Sequence, residues 1–334
     1  MTNSEFIIAE QKARENYLKI TKSVYREIAA LYRTAADEVA AKILELELSG
    51  KGNSLTAASN RALQKTLIET GQRISDGVEK STINGISDVS KPTNKPHIDF
   101  INDASILAGG IFDPAIIEKM YSQINTVLID LTYTRIWSDG YTFSNKIWGY
   151  PGTPGQPYLP GLGEYWRANV NNLLTLGFMQ NKDLSEIADS LTVYANKGRG
   201  GIVKRYGELP ISIIRKRIPK RVDWRAMRLA RSELYISLQE SSKIQGKNNP
   251  AVRGYDWNLT GGRGEWDCPC PDLAANSPYD ELHIPGFPHP NCLCHITHRL
   301  MNRNDFVNDL VLWNQGFSIP YLDTWYMNQY LPAA

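Results

Sequence analysis

Between residues 17 and 46 the apolar positions Tyr17, Ile20, Val24, Ile28, Leu31, Ala35, Val39, Ile43 and Leu46 recur in steps of three or four. That spacing lines up side chains on one face of an α-helix. Lys, Arg and Glu fill the opposite side. Unbroken from about residue 4 to 49, and stopped by Gly50 and Gly52, such a helix is roughly 65–70 Å long at 1.5 Å per residue. A compact domain does not cover that length with one element, so a partner helix is required. A second stripe after Ser54, through Leu63, Leu67, Ile74, Val78 and Ser81, supplies one, although Gly71, Gly77 and Gly85 weaken it. The first 90 residues therefore predict an antiparallel helical hairpin, packed either on its own chain or against other subunits of an assembly.

Residues 90–98, SKPTNKPHI, read as a linker, because two prolines interrupt helical hydrogen bonding. A further stripe over 114–137 predicts helix, with Asp113 as cap and Pro114 in the first turn. Residues 149–163, GYPGTPGQPYLPGLG, hold nine Gly or Pro in fifteen. Neither a helix nor a central strand survives that density, so an extended arm or loop is expected, packed down by flanking aromatics. Helices are expected over 165–176 and 183–194, the latter opened by Asp183 with Glu186 three residues on. A longer one runs from 223 to 245, capped by Asp223 and ended by Gly246.

The chain is thus expected to be mainly α. Residues 1–90 form the long N-terminal hairpin and 91–164 a helical connector with the Gly/Pro-rich arm. Residues 165–298 form a small α+β domain carrying Cys and His, and 299–334 an aromatic-rich tail. The seven tail aromatics, from Phe306 to Tyr330, suit either a cover over the domain's own core or an anchor for a partner.

Overall charge says little until it is counted by region. The 37 basic and 35 acidic residues leave +2, too near zero for a dedicated polycationic DNA binder. No apolar run approaches the ~18 residues of a membrane span, and the N-terminus lacks the pattern of a signal peptide. Between residues 197 and 231, however, twelve Lys or Arg face two acids, Glu208 and Asp223, giving +10 in 35 residues and leaving −8 elsewhere. Arg215, Lys216, Arg217, Lys220, Arg221, Arg225 and Arg228 are candidates for contact with a phosphate backbone or an acidic partner. Arg221, Arg225, Arg228 and Arg231, three to four apart, can share one helix face. The alternative is a solvated face paired with acids elsewhere. No motif for base-specific readout surrounds the run.

All four cysteines and four of the five histidines fall between residues 268 and 298. A disulfide-stapled secreted scaffold spreads its cysteines, so that class is disfavoured. Cys268 and Cys270, then Cys292 and Cys294 with His289 alongside, can place soft ligands around one ion, and Zn²⁺ favours tetrahedral thiolate and imidazole sites. The pairs are spaced C-x-C, and Pro269 and Pro271 remove two backbone donors near the sulfurs. A structural metal knuckle, reduced buried cysteines and a disulfide pair all remain open. A catalytic site would need a general base, for which Asp267, Asp272, Asp280 and Glu281 are available, but no H-E-x-x-H spacing is present.

Three segments occur in a telling order: ARSEL (residues 230–234) on a helix, YDWNLTGGRGEWDCPCPDL, and PGFPHPNCLCHITH. This order resembles the C-terminal domain of the phage head morphogenesis family, the minor head proteins similar to protein F of phage Mu. Arg231 and Glu233 match that family's helix motif, with Ser232 where Thr is usual. Cys268 and Cys270 match its first cysteine pair, one residue closer together. His289, Pro290, Cys292 and Cys294 match its ending, with Leu293 in place of Arg. Residues 173–191 resemble the preceding helix–turn–helix, so the likeness covers roughly 165–298.

The resemblance implies a non-enzymatic virion component, made in the host cytoplasm and housed inside the capsid near the portal. It implies several copies around the portal, contacts with portal protein and with major capsid or scaffold protein, non-specific contact with packaged double-stranded DNA, and no membrane. The competing expectations are a metal-dependent nuclease or toxin-like enzyme using the Cys/His cluster, and a cytosolic zinc adaptor that binds nucleic acid.

Overall fold

The computed structural model describes residues 1–48, 57–207, 210–260, 268–289 and 292–334. The stop signals Gly50 and Gly52, the acid Glu208, the candidate base Asp267 and the motif residue Pro290 lie outside the described residues. Helix makes up 72% and strand 7%, the mainly α class expected.

The chain begins with α1 (Asn3–Leu48) and α2 (Ala57–Leu107), followed by α3 (Pro114–Ser122), α4 (Ile124–Thr134) and α5 (Phe143–Trp148). Strands β1 (Gly149–Tyr150) and β2 (Leu159–Pro160) precede α6 (Leu162–Met179), α7 (Leu184–Lys197), α8 (Arg199–Arg205) and α9 (Ile211–Arg217). Then come α10 (Trp224–Asn248), β3 (Val252–Asn258), α11 (Cys270–Ala275) and β4 (His295–Leu300). The chain closes with α12 (Arg303–Asn314), α13 (Pro320–Trp325), a π-helical turn (Tyr326–Tyr330) and α14 (Leu331–Ala333). Two compact units result. One comprises Met1–Lys22, Ile83–Thr132 and Arg231–Ala334, the other Ser23–Thr82 and Tyr133–Ala230.

In the second unit α1 and α2 run antiparallel, Arg73 pairing with Glu38. The glycine expected to weaken α2 is a contact instead. A Cβ on Gly71 would stand 3.0 Å from the carbonyl oxygen of Gly163, so the backbones of α2 and α6 touch there. One turn along, the Trp166 indole donates to Thr70 Oγ1 at 2.9 Å, and its ring meets Tyr32 edge-on. The Gly/Pro-rich arm is a minimal hairpin, with Gly149 opposite Pro160 and Tyr150 opposite Leu159. Trp148 Nε1 fastens its base by donating to Glu79 at 3.0 Å. Asp183 caps α7 as expected, accepting from Glu186 N at 2.7 Å.

In the first unit the start of α1 lies along the far end of α2, Phe6 meeting His97 and Phe100 edge-on. The expected linker 90–98 is helical, continuous within α2 despite Pro92 and Pro96. Side-chain bonds to other elements hold it there. Asn94 Nδ2 donates to the Tyr121 carbonyl at 2.9 Å, and Gln245 Nε2 donates to Thr93 Oγ1 and Asn94 Oδ1 at 2.6 and 2.7 Å. Several such buried bonds, at about 1 kcal/mol each, together with the burial of Phe100 and Ile101, offset a local cost of roughly 3 kcal/mol per interior proline. The stripe over 114–137 is two helices, broken at Gln123. Asp113 caps the first as expected, accepting from Ala115 N at 2.8 Å.

Gly246 does not end α10, which continues to Asn248. Its missing side chain admits Tyr255 from β3: a Cβ there would lie 2.2 Å from the Tyr255 hydroxyl. The tail folds over its own unit. Phe306 is fully buried, Phe112 is ringed by Trp313, Trp325 and Tyr330, and Trp325 Nε1 donates to the Asn248 carbonyl at 2.8 Å.

Candidate metal centre

The Cys/His segment is assembled on a two-stranded antiparallel ribbon. β3 pairs with β4, placing Asn258 opposite His295, Trp257 opposite Ile296 and Tyr255 opposite His298. Cys292 and Cys294 lie immediately before β4, so the ribbon fixes their backbone. Cys270 opens α11, two residues after Cys268, and α11 packs on β3. Behind them runs the ARSEL part of α10. Ser232, Glu233, Leu234 and Tyr235 are buried there, while Arg231 is half-buried. Gln239, one turn on, donates to the Cys294 carbonyl at 3.0 Å and to the Tyr235 hydroxyl at 2.7 Å.

Five side chains from the two ends of one segment thereby converge. Cys268 Sγ lies 3.1 Å from His289 Nε2, Cys270 Sγ lies 3.6 Å from the same nitrogen, and Cys270 Sγ lies 3.5 Å from Cys292 Sγ. Zinc bonds of about 2.3 Å to sulfur and 2.0–2.1 Å to nitrogen give tetrahedral edges of roughly 3.8 Å between sulfurs and 3.6 Å between sulfur and nitrogen. The two Cys270 separations are close to those edges, and the Cys268–His289 one is about 0.5 Å shorter. Two ligand triplets, Cys268–Cys270–His289 and Cys270–Cys292–Cys294, share Cys270, and within each the ligand atoms lie within 4.8 Å of one another. All four cysteines are free thiols rather than a bridge. The group is therefore positioned to hold a metal ion.

The electrostatics agree with that chemistry. Burial, first of all, pushes the Cys270 thiol well above its ordinary range, reinforced by hydrogen bonds with Cys268 and Cys292. Burial likewise raises Cys292. Thiols so placed need a neighbouring cation to ionise, and a bound divalent metal supplies one.

One contributor was not foreseen from sequence. Arg14 of α1 donates through Nη2 to the carbonyl of Leu293, the residue between Cys292 and Cys294, at 2.7 Å, and to Thr260 Oγ1 at 2.5 Å. The available signal was a lone arginine among the inward positions Phe6, Glu10 and Tyr17, spaced 4, 4 and 3 apart along the helix.

His298 belongs to a separate group with Glu10 and His97. Its Nε2 donates to the Ser242 carbonyl at 2.8 Å, and its Nδ1 is hydrogen-bonded to Glu10 Oε1. His97 Nδ1 accepts from Asn249 Nδ2 at 3.1 Å, and Ala251 N fixes that amide's orientation by donating to Asn249 Oδ1 at 3.0 Å. A cation there would have to break the His298–Glu10 hydrogen bond and turn the amide away from Ala251. Glu10, His298 and Ser242 are thus hydrogen-bonded across α1, β4 and α10, and His97 of α2 meets the His298 ring edge-on. His283 lies on the surface, its ring bonded to the Asp280 carboxylate, so that candidate base is committed to an exposed turn.

The basic residues divide sharply. Arg221 precedes α10 and forks onto the buried Asp223 at 2.9 and 2.7 Å, so the expected row of four arginines on one helix face does not form. Asp223, expected as a helix cap, stands immediately before α10 and accepts that fork. The Arg225 guanidinium lies over the Tyr165 ring, 3.2 Å from its centroid. Arg215, Lys216, Arg217, Lys220 and Arg228 are exposed and make no ion pair among the described residues.

Compared with protein-family models, curated proteins and solved structures, the chain matches none. Among the described residues, no helix is long and apolar enough to cross a membrane.

Proposed function

We propose that the chain is a minor head protein of a tailed bacteriophage: a non-catalytic virion component at the portal vertex, with a structural Zn²⁺ in its C-terminal Cys/His knot. The observation that carries this reading is the convergence of Cys268, Cys270, His289, Cys292 and Cys294 beside the ARSEL helix. The segments that resemble the head morphogenesis family in sequence are neighbours in space. The donor set, thiolates with one imidazole at tetrahedral separations, suits a closed structural zinc site. In this reading the long hairpin and the knot each offer surface for docking on portal and on capsid or scaffold protein. The free cations around α9 lie against packaged DNA without reading its sequence.

The test is mass spectrometry of purified virions, with metal analysis of the isolated protein. A few copies per particle and about one zinc per chain are expected. Absence from particles overturns the structural role, and metal-free protein with four titratable thiols overturns the zinc site.

A further inference from the structure

Arg14 is a part-buried cation with no acid partner among the described residues. Its Nη2 is spent on Leu293 O and Thr260, and Nη1 is buried with no hydrogen-bond partner among the described residues. No carboxylate among the described residues pairs with it. Glu10, one turn earlier on α1, is taken by His298. Arg14 lines a cavity of about 30 Å³ with Glu10, Ser242, Gln245 and His295. That is room for one water, which can hydrogen-bond a guanidinium without neutralising it. The ionisable groups whose negative charge would favour Arg14 are Tyr17, Cys294, Tyr235 and Cys292. Two of these are tyrosines held neutral by burial. The remaining two are cysteines of the candidate centre.

A buried charge needs a counter-charge. Zn²⁺ with three thiolates and an imidazole carries a single net negative charge, and with four thiolates a double one. The protonated thiols carry none. We propose that Arg14 is the charge-balancing positioning residue of the metal centre, so that metal occupancy and docking of the first turns of α1 form one linked equilibrium. The inference rests on the metal reading above.

The geometry makes the link directional. Along the same face of α1, Asn3 Nδ2 donates to the Met301 carbonyl, Glu10 holds His298, and Arg14 holds Leu293. Advancing along the helix therefore means moving back along β4 toward the cysteines. An empty, neutral centre leaves the Arg14 end of this seam with an unbalanced charge and favours its release into water. A filled centre retains it. Linkage is reciprocal: whatever weakens Arg14's hold weakens the metal.

The experiment uses the full chain. Zinc affinity is measured by competition with a chromophoric chelator for the native protein, Arg14→Gln and Arg14→Lys. Amide exchange over residues 3–22 is followed with and without zinc. Expected are a loss of about tenfold to a hundredfold in affinity for Arg14→Gln, a smaller loss for Arg14→Lys, and faster exchange over 3–22 in native protein stripped of zinc. A purely structural role for Arg14 would lower stability and leave affinity untouched. Equal affinities for native and Arg14→Gln protein, or exchange over 3–22 indifferent to zinc, overturn the proposal. The exchange comparison needs no variant, so it decides even where Arg14→Gln fails to fold. Native protein that binds no zinc defeats the metal reading itself, and the linkage with it; native protein that binds zinc without any Arg14 effect defeats the linkage alone.

Discussion

Substituting Cys270 by Ser tests the metal centre where it is least redundant. Five candidate ligands converge where a zinc ion would take four, which would leave one in reserve. Cys270 alone belongs to both triplets, and it stands 3.5 Å from Cys292 Sγ and 3.6 Å from His289 Nε2. Any single loss leaves four donors, but losing Cys268 or Cys294 keeps one triplet whole, whereas losing Cys270 breaks both. Structural zinc sites bind with about 10–16 kcal/mol. Shared over four ligands, that is roughly 3 kcal/mol each, or about a hundredfold in affinity. Cys270→Ser is therefore expected to weaken zinc binding by about a hundredfold or more, and Cys268→Ser and Cys294→Ser by distinctly less. Competition against a chromophoric chelator reads this directly, with near-ultraviolet circular dichroism to establish folding. A second readout is the rise in melting temperature on adding zinc, which should vanish in Cys270→Ser. Equal affinities for the Cys270 and Cys294 variants would refute the shared-ligand arrangement.

His97 is fully buried and held neutral, with its pKa well below 6.5 because burial and the neighbouring His298 both oppose its charge. The unfolded chain binds its proton near 6.5 and the folded chain does not, so stability falls as pH drops below that value, by up to about 1.4 kcal/mol per pH unit. Urea midpoints from about pH 7 to pH 5 should lose this slope in His97→Gln; an unchanged slope would sink the assignment. Gly246→Ala gains about 1 kcal/mol of helix propensity but forces a Cβ within 2.2 Å of the buried Tyr255 hydroxyl, an overpacking cost of about 1–3 kcal/mol. Thermal melts should show net destabilisation, and a stabilised variant contradicts the packing argument. For the basic surface, Arg215→Ala, Lys216→Ala and Arg217→Ala together should flatten the salt dependence of duplex DNA binding by roughly 0.9 in log–log slope per lost contact. Arg221→Ala, already spent on Asp223, should leave the slope alone, and an equal effect from it refutes the division of the belt.

What could be read in the sequence was what local chemistry decides. The inward stripe of α1 needs only a period, and the caps at Asp113 and Asp183 need only a carboxylate one turn before free amides. Convergence of Cys268, Cys270, His289, Cys292 and Cys294 was suggested by their crowding into one segment. The failures share a different cause. Pro92 and Pro96 signal a break, yet the segment stays helical because Gln245, some 150 residues later, bonds Thr93 and Asn94. Gly246 signals an end, yet it serves as the notch for Tyr255. Arg221 has the spacing of a helical stripe but is captured by Asp223 before the helix starts. In each case a residue's local preference was outweighed by a partner elsewhere in the fold.

Arg14 is the clearest instance, because nothing near it in sequence says that its partner is a cysteine turn almost 280 residues away. On an exposed helix face an arginine costs nothing and signals nothing. Turned inward at the fourth position after Glu10, it meets two demands at once. Its donors must be matched, which Leu293 O and Thr260 do, and its charge must be balanced, which no carboxylate among the described residues does. Hydrogen bonds settle the first demand with neutral groups; only a nearby negative charge settles the second. The cysteine cluster can supply that charge once its thiols give up their protons to a metal. The cation on α1 and the ligands before β4 are therefore complementary halves of one electrostatic unit, and each is costly to bury without the other.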